Sequence, residues 1–256
     1  LDRNGNYIAD LRRTDFKIFE DGKEHQIEYF GTTEQPFTVV LLIDVSPSTQ
    51  YKIEEIQNAA IMFVNQLKAQ DKVMVIEFDE RVKVLAEPTN DREKLYKAIR
   101  RADFGNGTSI YDAVDYTLTR ALRNVQGRKA VVLFTDGVDT TSFKANYNST
   151  MRRIQESDMV FYPVYYDTIN DLGTGGGGVM SSPYPPGFPL PGGIGGGANV
   201  RQQYAVGRQY LEEIAVYTGG RIFYTKWQSG GLEGAFNGIA EELRRQYTIG
   251  YYPETV

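Results

Sequence analysis

Cysteine is absent from this 256-residue chain, and histidine occurs once, as His25. Without cysteine the chain has no disulfides, thiolate metal sites, iron–sulfur clusters or cysteine nucleophiles. A single histidine argues against the zinc, copper and non-haem iron sites that use several imidazoles. Any metal ion that the chain binds should therefore be held by oxygen ligands.

The chain also lacks an excess of basic residues and any long apolar run. Its 28 Lys and Arg stand against 33 Asp and Glu, a net charge of −5, so nucleic acid is not an expected partner. The longest apolar run, from Phe37 to Ile43, is interrupted by Thr38 and is strand-sized, which predicts no membrane insertion by this fragment. Because the chain begins at Leu1, we expect a mature or trimmed fragment that has lost any signal peptide or anchor.

The two ends of the chain are predicted to form a small β module. Two short strand-like runs, 14–20 and 24–30, flank Asp21-Gly22, which is a strong hairpin signal. An isolated hairpin is marginally stable in water, so it needs a partner. Residues 246–252 alternate polar and apolar side chains. We therefore expect an N-terminal β segment, 1–35, that pairs with residues 246–256.

Residues 36–245 alternate between strand and helix patterns. Several strand patterns are continuous apolar runs, as expected for parallel strands covered on both faces. The runs between them repeat apolar residues at helical spacing. This alternation predicts an α/β fold with a doubly wound, mostly parallel sheet flanked by helices. The predicted strands are 39–45, 73–78, 82–85, 130–135, 160–166 and 221–224.

Residues 172–199 interrupt this alternation. This segment holds 11 of the 26 glycines and 5 of the 10 prolines. It is too long for an ordinary connection between a strand and a helix. One interpretation is a flexible surface excursion. The other is that the insertion borders the ligand-binding surface, because it follows the carboxyl end of a strand.

Oxygen-bearing side chains lie at the ends of two predicted strands and before one predicted helix. Asp44-Val45-Ser46-Pro47-Ser48 ends the first strand of the α/β domain, Asp136-Gly137 ends another, and Gly107-Thr108-Ser109 precedes a helix. Ligands of open α/β sheets bind outside the carboxyl ends of the strands. Two carboxylates and three hydroxyls suit a hard divalent cation such as Mg²⁺. The candidate metal ligands are Asp44, Ser46, Ser48, Thr108 and Asp136.

This ordered set resembles the metal-ion-dependent adhesion site of von Willebrand factor type A (VWA) domains. Three further segments resemble the VWFA-related proteins of acidobacteria: 15–23 (DFKIFEDGK), 218–221 (TGGR) and 243–247 (LRRQY). The resemblance implies a Rossmann-like domain over about 36–245 that uses Mg²⁺ or Mn²⁺ to bind a protein ligand through an Asp or Glu carboxylate. It also implies a bacterial cell-adhesion or complex-assembly module that is secreted, periplasmic or at the cell surface.

The chain departs from the family pattern at three positions. Pro47 and Asn106 stand where glycine is frequent, and Thr49 stands where methionine is common. Proline fixes its own φ and restricts the preceding residue, so we expect a stiffer loop.

The motifs of several common enzyme classes are missing from the sequence. No G-x-S-x-G elbow, P-loop or G-x-G-x-x-G turn after a strand is present, so we expect no enzymatic activity. The alternatives are a Mg²⁺-dependent hydrolase of phosphoester type and a structural scaffold with a vestigial metal site. The serines and Thr108 could also act only as helix caps, although this leaves Asp44 and Asp136 unexplained.

Overall fold

The computed structural model describes residues 8, 11–32, 36–166, 168, 197–225, 231–244 and 247–253. The chain divides into two compact units, 1–35 with 237–256 and 36–236. In chain order the elements are β1 (Ile18–Glu20), β2 (Lys23–His25), β3 (Tyr29–Thr32), β4 (Phe37–Asp44), α1 (Ile53–Gln66), β5 (Lys72–Phe78), β6 (Val82–Thr89), α2 (Arg92–Ile99), α3 (Ile110–Tyr116), β7 (Arg128–Thr135), α4 (Tyr147–Gln155), β8 (Met159–Tyr166), α5 (Gly197–Thr218), β9 (Phe223–Thr225), α6 (Gly231–Arg244) and β10 (Tyr247–Gly250).

The smaller unit contains two short antiparallel pairs. β1 and β2 form a hairpin around Asp21 and Gly22, whose φ values of 49° and 79° give the two positive angles of a type I′ turn. β3 pairs with β10, from Tyr247 opposite Thr32 to Gly250 opposite Tyr29. The sequence pattern predicted one strand over 24–30, whereas the structure has two separate strands, β2 and β3.

The larger unit is built on a six-stranded sheet in the order β6-β5-β4-β7-β8-β9. All neighbours are parallel except β5 and β6. β4 is buried along its whole length, as a central strand of a doubly wound sheet must be. The predicted α/β fold with a mostly parallel sheet is confirmed.

Helices cover both faces of this sheet. On one face, Val40 and Leu42 belong to a core cluster with Ile110 of α3, Ile154 of α4 and Leu211 of α5. On the other face the rings of Phe63 in α1 and Phe134 in β7 each lie 5.1 Å from that of Phe236. Large buried side chains therefore fix the position of β4 and β7 from both sides.

Some element boundaries differ from the predicted ones. β6 continues to Thr89 and includes Pro88, which an edge strand tolerates because one side of its backbone needs no ladder partner. Helix α4 was not predicted, although Asn146 and Ser149 form a reciprocal cap at its start. Of the predicted insertion, 172–196 lies outside the described residues, and 197–199 begin α5. The boundary between the two compact units lies between residues 236 and 237, within α6, whereas the sequence predicted it after residue 245.

The strand order reverses between β4 and β7. The connection after β4 leads to β5 on one side, whereas β7 lies on the other side of β4. This switch point is where open α/β sheets bind ligands, and the residues that follow β4 and β7 border it. Within the described ranges, none of the helices has the length and apolar character needed to cross a membrane.

Candidate metal centre

Asp44, the last residue of β4, is completely buried. Its Oδ1 accepts a hydrogen bond from the backbone N–H of Ser46 at 2.9 Å, and its Oδ2 accepts one from the Thr135 hydroxyl at 2.6 Å. Both donors are neutral. The parallel register of β4 and β7 brings Thr135 to the same sheet edge as Asp44. The carboxylate is thus fixed in orientation but not neutralised by these contacts.

The turn after β4 is held by its own residues. Ser46 is extended, with φ −65° and ψ 164°, and Pro47 occupies the first position of a 3₁₀ turn, Pro47–Lys52. Proline suits this position and favours an extended residue before it. Thr49 donates both its N–H and its hydroxyl to the Ser46 carbonyl, at 2.9 and 2.7 Å. The unusual Pro47 and Thr49 therefore support the turn.

A chain of hydroxyls joins this turn to Asp136, the residue after β7. The Ser46 and Ser48 hydroxyl oxygens lie 3.0 Å apart, and the Ser48 hydroxyl donates to Asp136 Oδ2 at 2.9 Å. Asp136 Oδ1 accepts from the Val138 N–H at 3.1 Å. The structure thus brings four of the five predicted ligands, Asp44, Ser46, Ser48 and Asp136, into one connected group.

Thr108, the fifth predicted ligand, lies buried in a neighbouring loop. That loop is attached to the turn after β4, because the Gly105 N–H donates to the Val45 carbonyl at 2.8 Å. The Thr108 N–H donates to the Thr140 hydroxyl at 2.8 Å, and its carbonyl accepts from the Thr140 and Thr141 N–H groups. The hydrogen bonds of Thr108 therefore go to the segment after β7, whereas the other four residues bond along the serine chain.

The two carboxylates of the group repel one another. Burial, followed by the nearby charge of Asp136, raises the pKa of Asp44 to about 7. A divalent cation between such groups would favour the ionised form of both. Within the described ranges no three His, Cys, Asp or Glu residues cluster as a metal site. The donor set is therefore two carboxylates with hydroxyls, which fits a hard cation that retains water ligands.

Sequence reasoning missed three polar partners of this group: Thr135, Thr168 and Tyr204. The Thr168 hydroxyl donates to Asp136 Oδ2 at 2.7 Å and lies 2.6 Å from the Tyr204 hydroxyl of α5. Thr168 follows β8 as Asp136 follows β7, so its place after a strand was the available signal. Nothing in the sequence indicated that Tyr204, on a helix, would reach the same edge.

The sheet order and the D-x-S-x-S turn at its switch point agree with the resemblance to VWA domains. Residues 39–138 match the family model of the von Willebrand factor type A domain. Over these residues the chain is similar to VWA domains.

Solved VWA structures share this fold at low sequence identity. A von Willebrand factor type A protein from Catenulispora acidiphila is 15% identical, with a TM-score of 0.58 over 88% of this chain and 52% of that one. The vWF domain of the type V pili tip protein Mfa5 from Porphyromonas gingivalis is 12% identical, with a TM-score of 0.57 over 81% and 95%. The pilus adhesin SpaC from Lactobacillus rhamnosus GG is 12% identical, with a TM-score of 0.56 over 82% and 30%. These likenesses establish the fold.

A curated relative matches a smaller part of the chain. A Synechocystis protein described as uncharacterised is 29% identical over 106 residues, which are 40% of this chain. The matched region spans a quarter of that relative's length.

Proposed function

We propose that this chain is a non-enzymatic protein-binding module that depends on Mg²⁺ or Mn²⁺ for adhesion or complex assembly. One observation carries the proposal: two buried carboxylates, Asp44 and Asp136, are joined through Ser46 and Ser48 at the switch point of a VWA-like fold. The Ser46 N–H donates to Asp44, the two serine hydroxyls are in contact, and the Ser48 hydroxyl donates to Asp136. VWA domains in general mediate protein–protein interactions, which supports a protein as the partner.

The five predicted residues would share the work of holding the cation. Ser46 and Ser48 would ligate it directly, Asp44 and Asp136 would hold its water shell, and Thr108 would join when a partner is engaged. A bound cation with an open position accepts a further oxygen ligand. An Asp or Glu carboxylate of the partner would supply that ligand and offset the remaining positive charge.

The solved relatives support a place outside the cytoplasm. The Mfa5 domain belongs to a pilus tip protein and SpaC is a pilus adhesin. We therefore propose that this module acts as a secreted, periplasmic or cell-surface protein of a bacterium.

Calorimetric titration of the EDTA-treated chain with Mg²⁺ and Mn²⁺ tests the metal site. The wild type should bind one cation, and Asp44→Ala should weaken binding at least tenfold. Asp158→Ala is the matched control. Asp158 is exposed, pairs with Lys129 and directly precedes β8, so it lies at the opposite end of that strand from the carboxyl edge of the sheet. Equal affinity in wild type and Asp44→Ala would contradict the site, and absence of binding in the wild type would favour a vestigial one.

A second assay addresses the hydrolase alternative. The chain with Mg²⁺ should not turn over 4-nitrophenyl phosphate above the rate of the Asp44→Ala variant. Turnover that requires both Mg²⁺ and Asp44 would show that the site performs chemistry, and would overturn the non-enzymatic part of the proposal.

A further inference from the structure

A cleft of about 310 Å³ lies beside the candidate metal centre, on the side where α5 packs. It begins at Gly137, the residue that follows Asp136. Its other walls come from the first turn of α3 and from the middle of α5. The residues that line it include Tyr111, Gly137, Asp139, Gln203, Val206 and Gly207.

The floor of the cleft depends on two glycines. A Cβ added to Gly207 would lie 2.2 Å from the Gly137 carbonyl oxygen, so only glycine allows this approach of α5 to the loop after β7. Gly137 itself has a φ of 82°, in the region that favours glycine. The hydrogen bond between Tyr204 and Thr168 holds α5 to the same edge. The cleft is therefore a built feature of the domain.

The polar side chains that line this cleft are one carboxylate, one tyrosine hydroxyl and two glutamine amides. Asp139 presents a half-buried carboxylate, although it also accepts from the Ser142 N–H and hydroxyl and from the Tyr111 N–H. The Gln203 Oε1 atom is buried and has no hydrogen-bond partner in the described part of the chain. No Lys, Arg or His is among the residues that line the cleft. A buried acceptor without a donor is costly, so a ligand that donates hydrogen bonds would be favoured.

Asp139 is the one acidic residue among those that line the cleft, and it determines the charge of the cleft. Burial raises the pKa of Asp139, although its hydrogen bonds oppose the rise. Burial and the Asp139 charge raise the pKa of Tyr111 to about 12. The Tyr111 ring is held edge-on to that of Tyr210, with 5.0 Å between centroids, so it forms a fixed wall. A positive group in the cleft would stabilise the Asp139 carboxylate.

We propose that this cleft binds a cationic side chain, a guanidinium or an ammonium group, of the protein whose carboxylate completes the cation site. The guanidinium group fits best, because its planar fork can donate to Asp139 and Gln203 together and its face can stack on Tyr111. The partner would then present an acidic and a basic residue close together on its surface. The link to that partner rests on the proposed function, whereas the affinity of the cleft for a cation does not.

Titration of the EDTA-treated full chain with N-acetyl-arginine amide, followed by NMR, tests the cleft on its own. Binding in the millimolar range is expected for so small a probe. N-acetyl-citrulline amide, which has nearly the same shape without the charge, should bind at least tenfold more weakly. Equal affinity for the two probes would overturn the proposal.

Two variants locate the binding site. Val206→Trp fills the cleft from the α5 side, and it should abolish arginine binding because Val206 is 40% exposed and the larger ring can be accommodated without disturbing the core. Val216→Trp is its matched control, since Val216 lies on the same helix, is 76% exposed and does not line the cleft. Asp139→Asn, which retains a side-chain acceptor, should weaken binding at least tenfold. Unchanged affinity in Val206→Trp or Asp139→Asn would place the probe elsewhere.

The cation site and the cleft can fail separately. Asp44→Ala should lose Mg²⁺ binding and keep arginine binding, whereas Val206→Trp should do the reverse. Loss of arginine binding in Asp44→Ala would contradict an independent cleft. A chain that binds arginine in the cleft but not Mg²⁺ would remove the proposed function and leave the cleft standing.

Discussion

Two buried carboxylates of the larger unit, Asp44 and Asp112, have contrasting surroundings. Asp112, in the first turn of α3, accepts three consecutive backbone N–H groups, those of Phe143, Lys144 and Ala145, at 3.3, 3.0 and 2.8 Å. Asp44 interacts with the N–H and hydroxyl of Ser46 and with the Thr135 hydroxyl, and it experiences the charge of Asp136. The first carboxylate is satisfied within the chain, whereas the second is in an environment that disfavours its charge.

This contrast separates a structural carboxylate from a candidate ligand. A buried anion is tolerated when oriented donors surround it, and Asp112 uses that arrangement to hold the segment after β7 against α3. Asp44 and Asp136 keep a repulsion that the fold does not remove. The removal of each carboxylate should therefore have opposite effects on the stability of the metal-free chain.

Asp112→Ala should give the largest loss of stability. Three backbone N–H groups, of which that of Ala145 is buried, would lose their acceptor, which should lower the free energy of unfolding by about 3 kcal/mol. Urea unfolding in EDTA and in Mg²⁺ measures the change, and the loss should be the same in both. Asp112→Asn is the control, since its amide oxygen can still accept from Lys144 and Ala145 and should recover part of the loss. Full rescue of Asp112→Ala by Mg²⁺ would contradict a purely structural role.

Asp44→Asn should raise the free energy of unfolding of the metal-free chain, whereas Asp112→Ala lowers it. The folded-state pKa of Asp44 is raised above its usual value, so the wild type loses stability as the pH rises from about 4 through 7. At pH 8 the neutral asparagine should therefore raise the free energy of unfolding by about 2 kcal/mol. This is about half of the roughly 4 kcal/mol that a shift of about three pKa units represents, because the asparagine NH₂ group cannot accept the hydrogen bond that the replaced oxygen accepts. Urea unfolding at pH 8 and pH 4 measures this, and the gain should vanish at pH 4.

Addition of Mg²⁺ completes the Asp44 test. Millimolar Mg²⁺ should stabilise the wild type and leave Asp44→Asn unchanged, because only the wild type keeps both carboxylates. If metal-free Asp44→Asn is less stable than wild type at pH 8, the carboxylate is structural, as in Asp112, and the contrast between the two residues disappears.

The fold and most of the candidate site followed from local patterns. Buried strands such as β4 show as apolar runs, and parallel strands place the residues after their carboxyl ends at one edge, so Asp44 and Asp136 were expected to meet. The predicted strand 82–85 was too short, since β6 continues through Pro88 to Thr89. Edge position, which decides whether Pro88 is tolerated, depends on sheet order and cannot be read from a local stretch of sequence.

The polar network around the site could not be predicted in the same way. Thr135 and Asp44 are 91 residues apart, and Tyr204 reaches Thr168 from a helix. The three N–H groups that Asp112 binds belong to a segment more than 30 residues further on. Such contacts depend on how helices dock on the sheet, so composition and periodicity give no signal for them.

Pro47→Ala should have the smallest effect of these substitutions, because Pro47 affects the conformation of the turn and not the charge of the site. Pro47→Ala should lower the free energy of unfolding by about 0.5–1 kcal/mol, since alanine gives the unfolded chain more freedom and the folded turn keeps its Thr49 to Ser46 hydrogen bonds. The Mg²⁺ affinity should stay within about twofold of wild type, because in this interpretation the turn is already formed before the cation binds. Urea unfolding and calorimetric titration measure the two effects. A tenfold loss of affinity would instead show that proline, and not the Thr49 contacts, keeps Ser46 and Ser48 in place.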